Sequence, residues 1–379
     1  MAEVLRVLVV ATSYEPSIGG SSTFQWELTR RIAQRGHTVH VLTPRLKGLP
    51  RTERKEGVLM TRLGPEGKVN RASFTLLATI HASRILRSYD IILGETFVGA
   101  IPSAMAARIC NRPSILTVYE VFDNQWTGYL PNRRVLAESY KLVEKNLLRL
   151  QHDQYVALSN YTGKRLVRCG IDPKKIKVVP PGIDYGFWEN SLARPERFRE
   201  TQGIGERQVY SSFGRSGISK GFDYLLAAAK LVAAQRPDSR LYLVLNEGDL
   251  FAGLVRMIAR SKDLREHVIL GKSLTRTELR DVIAGSTFVV VPSLSEGFGF
   301  AVAETCALGT PIVATNAGSI PEVISGKHRL VEPANSIALA KAIVSGLDGL
   351  WNKTPNRRFE WDTTVDRYEN LIREQRASV

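Results

Sequence analysis

The sequence predicts an α/β protein of two doubly wound domains, and three observations carry that expectation. The chain has 379 residues, too many for one ordinary core and about right for two. Short continuous apolar runs recur along it, among them VLRVLVVAT at 4–12, DIILGET at 90–96 and TFVVVPS at 287–293. Such runs are the pattern of parallel strands buried on both faces. Segments of helical length alternate with them and stop at signals such as Arg35-Gly36, or Gly309 followed by Pro311.

In the first half, VLRVLVVAT leads through a turn holding Gly19 and Gly20 into a helix from about Ser22 to Gln34, and then into the strand TVHVLTP. Together they make one right-handed βαβ unit. GVLMTRLG reads as a short strand. The next helix covers Ala72–Arg87, with Phe74, Leu77, Ile80 and Ile85 near one stripe, expected to face the core, the alternative being a helix that touches a membrane. DIILGET, a helix over 100–110 and SILTVYE follow, ending at Tyr119 and Glu120. Strand C-termini are where open α/β sheets bind ligands, so these two are candidate ligand contacts. A long helix over 133–150, QYVALS and KIKVVPPGID complete a first domain placed at residues 1–184.

The second domain, placed at 185–358, opens with a strand to Phe213, a turn flanked by Arg215 and Lys220, and an amphipathic helix. RLYLVLNEGD, HVILGKSL and TFVVVPS supply further strands with helices between. The most specific stretch is Val289–Ile324. Its buried strand feeds a loop carrying Glu296, Gly297, Phe298 and Gly299, then an Ala-rich helix that bears Glu304. A strand feeding a glycine turn and a helix N-terminus suits a phosphate, because free amides and the helix dipole converge where glycine admits a ligand. The two carboxylates would repel a phosphate and instead suit sugar hydroxyls, since a carboxylate accepts two hydrogen bonds from a vicinal diol. Lys220 and Arg215 flank a helix start, where cations oppose the dipole unless an anion binds between them.

Pro292-Ser293, Glu296-Gly297-Phe298-Gly299, Glu304 with seven residues between it and Glu296, and Pro321-Glu322-Val323-Ile324 together resemble the retaining GT-B glycosyltransferases of family 4. Gly214-Arg215 with Lys220-Gly221 resembles a further family element, and Gly19-Gly20 its first glycine loop. The resemblance implies two Rossmann-like domains facing across a cleft, with residues 359–379 forming a helix that crosses back to the first. It implies a donor site in which Glu296 and the loop amides hold the sugar, Glu304 holds the nucleotide ribose, and Gly19 and Gly20 meet the diphosphate. Arg215, Lys220 and Glu296 are the residues it assigns to catalysis. Many relatives have a histidine where this chain has Tyr119; tyrosine keeps a hydroxyl donor but is no base near neutral pH unless its pKa is strongly lowered.

The predicted reaction is retaining transfer of a hexose, mannose or glucose, from a nucleotide-diphosphate sugar to a hydroxyl of a lipid-linked or cell-surface glycan. No cofactor is expected, and no metal, since no Asp-x-Asp pair occurs and Arg215 and Lys220 replace a cation. Three scattered cysteines make no disulfide framework and fit a reducing, cytoplasmic setting. The net charge of +15 is concentrated in residues 1–184, where 27 Lys and Arg face 15 Asp and Glu. That surface suits an anionic membrane leaflet or an anionic acceptor, and nucleic acid is not an expected partner. Two readings compete: a catalytically silent nucleotide-sugar-binding scaffold of the same fold, motivated by Tyr119, and a binder of anionic polymers.

Overall fold

A computed structural model of the chain describes residues 3–17, 19–67, 70–130, 133–246, 248 and 250–378. The chain divides into two compact units, Met1–Gly182 with Phe359–Val379, and Ile183–Arg358.

In the first unit the strands are β1 (Arg6–Val10), β2 (Thr38–Pro44), β3 (Thr52–Lys55), β4 (Val58–Leu63), β5 (Ile91–Glu95), β6 (Ser114–Val118), β7 (Gln154–Ala157) and β8 (Ile176–Val178). They form one sheet in the order β3-β4-β2-β1-β5-β6-β7-β8, parallel except for the hairpin β3–β4. From β1 the chain builds outward through β2 and then returns to add β5 on the other side of β1. The sheet therefore changes winding direction between β1 and β5, which is where such sheets open a ligand crevice. β1 is buried from Val7 to Val10, and β5 and β6 along their whole length, as the apolar runs required.

The helix Trp361–Ala377 belongs to this unit. Val365, Tyr368 and Ile372 on it are fully buried, and the Tyr368 hydroxyl lies 2.9 Å from that of Thr117 on β6. Gly182 makes the return path fit, because a Cβ there would lie 2.4 Å from the backbone of Trp361.

One expectation fails here. The helix Arg71–Ile85 buries Phe74, Ala78 and Ala82, while Leu77 and Ile80 of the expected stripe are 38% and 42% exposed. The small alanines let the helix lie close against Ala106, Ala107 and Cys110 of its neighbour, and the larger side chains turn to solvent.

The second unit holds β9 (Val209–Arg215), β10 (Arg240–Asn246), β11 (Val268–Gly271), β12 (Phe288–Val291), β13 (Ile312–Thr315), β14 (Gly326–Val331) and β15 (Asn352–Thr354). Their order is β11-β10-β9-β12-β13-β14-β15, parallel except for β14–β15. Glu247 and Asp249, at the end of the segment expected to continue β10, lie outside the described residues. The winding direction reverses between β9 and β12, and a core of Tyr210, Leu225, Leu241, Phe288 and Ile343 lies beneath.

Among the described residues no helix is long and apolar enough to cross a membrane.

Candidate functional site

In the second unit the candidate residues gather where β9 and β12 end side by side. Arg215 is the last residue of β9 and is exposed. A short turn, Ile218–Lys220, follows, and it is locked to the loop after β12 by the Leu294 amide donating to the Ser219 carbonyl at 2.7 Å. Gly221 is needed for this packing: its φ is +64°, and a Cβ would lie 2.1 Å from the Pro292 carbonyl oxygen. The lock brings Lys220 onto Glu296, with Nζ 2.6 Å from Oε1. The Ser293 hydroxyl donates to the same Oε1 at 2.7 Å.

The backbone of Glu296 is held from the far side. The amide and hydroxyl of Ser319 both donate to its carbonyl, at 3.0 and 3.1 Å. Gly318, at φ +58°, lies so close that a Cβ would stand 2.3 Å from that carbonyl oxygen. Gly299, at φ +91°, turns the chain into the helix Phe300–Ala307 with no side-chain cap, so Val302 and Ala303 donate their amides to the Gly299 carbonyl. Phe298 is buried and its ring meets Phe300 edge-on at 5.3 Å. Glu304 sits one turn into this helix. Burial pushes its carboxyl up to about 7, opposed by Arg276, whose guanidinium stacks 4.2 Å over the Phe187 ring.

Lys220 and Glu296 were assigned to different parts of a ligand, and the structure pairs them with one another.

In the first unit Gly19 and Gly20 lie exposed at the start of the helix Gly20–Gln34, with Gly19 at φ +155° and open space where a side chain would stand. Tyr119 and Glu120 directly follow β6 and are both half-buried. The Tyr119 hydroxyl donates to Glu95 Oε2 at 2.9 Å and receives a hydrogen bond from Gln25 Nε2 at 2.7 Å. Burial and the neighbouring Glu95 push the phenol well above its ordinary value, so Tyr119 is no base at neutral pH.

Two carboxylates that sequence reasoning missed organise this end of the sheet. Glu95, the last residue of β5, receives the amide and hydroxyl of Thr12 on Oε1, across the β1–β5 crevice. Glu144, buried on the helix Arg134–Leu148, receives the amides of Phe122 and Asp123 at 2.9 and 2.7 Å and the Trp126 indole N–H at 3.1 Å. It thereby fixes the polar, aromatic loop after β6. A Glu at a strand end and another on an amphipathic helix carry no signal until their partners are known.

Among the described residues no group of three or more His, Cys, Asp or Glu is placed to hold a metal ion.

Comparison with known proteins gives consistent relatives. The models for Glycosyltransferase Family 4 and for Glycosyl transferases group 1 match residues 18–187 and 207–348. A D-inositol 3-phosphate glycosyltransferase of Nocardiopsis dassonvillei is 25% identical over 327 residues, 81% of this chain and 76% of that protein. One from a Nocardioides species is 25% identical across 95% of this chain and 86% of its own. Among solved structures, sucrose-phosphate synthase from Thermosynechococcus elongatus superposes with a TM-score of 0.83 at 20% identity, covering 99% of this chain and all of that one. HepE of Anabaena, in complex with UDP-glucose, gives 0.76 at 18% identity, covering 99% of this chain and all of its own.

Proposed function

We propose that this chain, which belongs to glycosyltransferase family 4 and has the GT-B fold, moves a hexose from a nucleotide-diphosphate sugar to a hydroxyl of a glycan or glycolipid, with retention at the anomeric carbon. The observation that carries the reading is the Lys220–Glu296 pair at the β9–β12 switch point, flanked by a glycine-started helix bearing Glu304. Cation, carboxylate and helix N-terminus stand where a diphosphate, a sugar and a ribose each need a different partner.

In this mechanism Glu304 accepts hydrogen bonds from the ribose diol, and Glu296 orients sugar hydroxyls. The amides of the 297–299 loop approach the diphosphate. The bond between the anomeric carbon and the diphosphate oxygen breaks, and Lys220 and Arg215 stabilise the charge that collects there. The acceptor oxygen bonds to the same face, and its proton passes to the departing phosphate oxygen. No residue need serve as base, which agrees with the high pKa of Tyr119. Mannose and glucose are the favoured sugars. A structural neighbour holds UDP-glucose and another holds ADP, which supports a nucleotide sugar without choosing the base.

A lipid-linked acceptor on an anionic leaflet is supported by the first unit's surface. The helices Arg71–Ile85 and Ala100–Cys110 contain no acidic residue, and they expose Leu76, Ile80, Met105 and Ile109 beside Arg84 and Arg108. Flotation with vesicles of phosphatidylglycerol should carry the protein at low salt and release it at high salt; equal behaviour with neutral phosphatidylcholine vesicles would remove this part of the reading.

The transfer reading is tested by thermal unfolding with UDP, GDP, ADP and CMP, each with and without divalent metal. A bound diphosphate at about 100 times its Kd adds roughly 2.7 kcal/mol. One nucleotide should stabilise the wild type irrespective of metal and fail to stabilise Glu304→Ala. No stabilisation by any would reject the site, and stabilisation with no turnover and no donor hydrolysis would favour a silent scaffold.

A further inference from the structure

The switch point of the first unit holds a carboxylate that the transfer mechanism does not use. Glu95 is 2% exposed, and among the described residues no Lys, Arg or His pairs with it. A buried carboxylate without a counter-ion is costly, and it persists only where fixed donors replace its water. Here those donors are the amide and hydroxyl of Thr12, the Ser13 amide and the Tyr119 hydroxyl. They come from the segment after β1 and the residue after β6, so one side chain ties together three adjacent strand ends.

The hydrogen-bonding capacity of the phenol decides what this network can do. A tyrosine hydroxyl has one proton and two lone pairs. The Tyr119 proton goes to Glu95 Oε2, and one lone pair takes the Gln25 amide proton, Gln25 itself being 3% exposed. One lone pair remains. Were residue 95 a glutamine, its amide would donate to the phenol oxygen, and the phenol proton would turn away from it. The polarity of Tyr119 toward a ligand is therefore set one residue behind it.

We propose that Glu95 is the positioning residue of Tyr119: by taking the phenol proton it leaves the oxygen able only to accept, so Tyr119 receives a hydrogen bond from a sugar hydroxyl and discriminates against a group that cannot donate one. This rests on the hexosyl-transfer reading above. Burial raises the Glu95 carboxyl from its ordinary value, so the pair is set this way where Glu95 is ionised; the titratable groups that bear on it are each other and Tyr368 of the helix Trp361–Ala377, and among the described residues no cation takes part.

Two measurements on the full chain test it. In protein labelled at tyrosine 13Cζ, the Tyr119 resonance is assigned with Tyr119→Phe. It should titrate with Glu95 in the ligand-free wild type, and in Glu95→Gln it should be shifted and cease to titrate. A resonance that neither titrates nor moves in Glu95→Gln overturns the positioning role, whatever the enzyme does with substrates.

The second measurement is kcat/KM for monodeoxyfluoro analogues of the sugar substrates, which keep the size of the hydroxyl and cannot donate. The wild type should lose about ten-fold at one position beyond the loss in Tyr119→Phe, because only the wild type leaves an acceptor unpaired there. Glu95→Gln should reduce the same preference. Where Glu95→Gln fails to fold, Tyr119→Phe and the wild-type titration carry the test. Equal penalties in wild type and Tyr119→Phe at every position overturn the contact and leave the transfer reading intact. Absence of nucleotide binding overturns the transfer reading, and the resonance measurement still judges Glu95.

Discussion

A carboxyl that titrates near pH 7 makes Glu304 a source of opposing demands. Its folded value of about 7 lies above the ordinary 4.5, so between those two values the folded chain holds a proton that the unfolded chain has released. Stability of the ligand-free protein should fall as pH rises through that window, and above it the cost is on the order of 1–3 kcal/mol. Glu304→Gln removes the cost: its unfolding midpoint should exceed the wild type's at pH 8 and match it at pH 5. The ribose needs the carboxylate, so wild-type nucleotide affinity should rise with pH up to about 7 and then level, while that of Glu304→Gln stays low and flat in calorimetric titration. Lys220→Ala should behave differently again, with kcat lower by roughly 100- to 1,000-fold and KM within a few-fold, as expected of a group that matters most when charge develops. Steady-state kinetics separates the two. Glu296 and Glu304 were legible in the sequence because each interrupts an apolar strand–turn–helix pattern in which an acid is out of place. Glu95 was not, since an acid closing DIILGET looks like an ordinary boundary with solvent. Its partners Thr12 and Tyr119 stand 83 and 24 residues away, and only the strand order brings them to it.

The loop after β12 is shaped by the elements it touches more than by its own residues, and the glycines of the segments around it are not equivalent. Gly318→Ala should be severe, because positive φ and a carbonyl oxygen 2.3 Å away from the new Cβ act together, forcing Glu296 to move. A loss of at least ~2 kcal/mol and of nucleotide binding is expected. Gly309→Ala meets nothing within 4 Å and carries only the backbone cost at φ +74°, about 1 kcal/mol, with binding unchanged. Urea titration with and without nucleotide distinguishes them, and equal losses in the two would show that the contact with Glu296 does not matter. The central strands were legible from their apolar runs, since burial on both faces leaves a strand no other composition; the polar, exposed edge strands β3 and β15 carry no such run and were not read. The helix Arg71–Ile85 was misjudged for a converse reason. Its apolar residues lie on several sides, so spacing alone did not choose a face, and the choice fell to two alanines that allow close approach to the neighbouring helix.

At the scale of the whole molecule, the chain leaves the first unit at Gly182 and re-enters it at Phe359. Removing residues 359–379 should therefore damage the unit farther away in sequence. It takes away the fully buried Tyr368 and its hydrogen bond to β6, and loss of one buried aromatic side chain alone costs about 3–5 kcal/mol. Hydrogen exchange should show β5 and β6 losing protection while β12 and β13 keep theirs. The same discontinuity has a consequence in time. A ribosome that has made residue 182 must still add the 176 residues of the second unit before the helix that completes the first can arrive. At roughly 5–20 residues per second that is a wait of about 9–35 s. Throughout it, Phe24 and Thr117, which the returning helix covers, stand open to whatever chaperone or neighbouring chain meets them first.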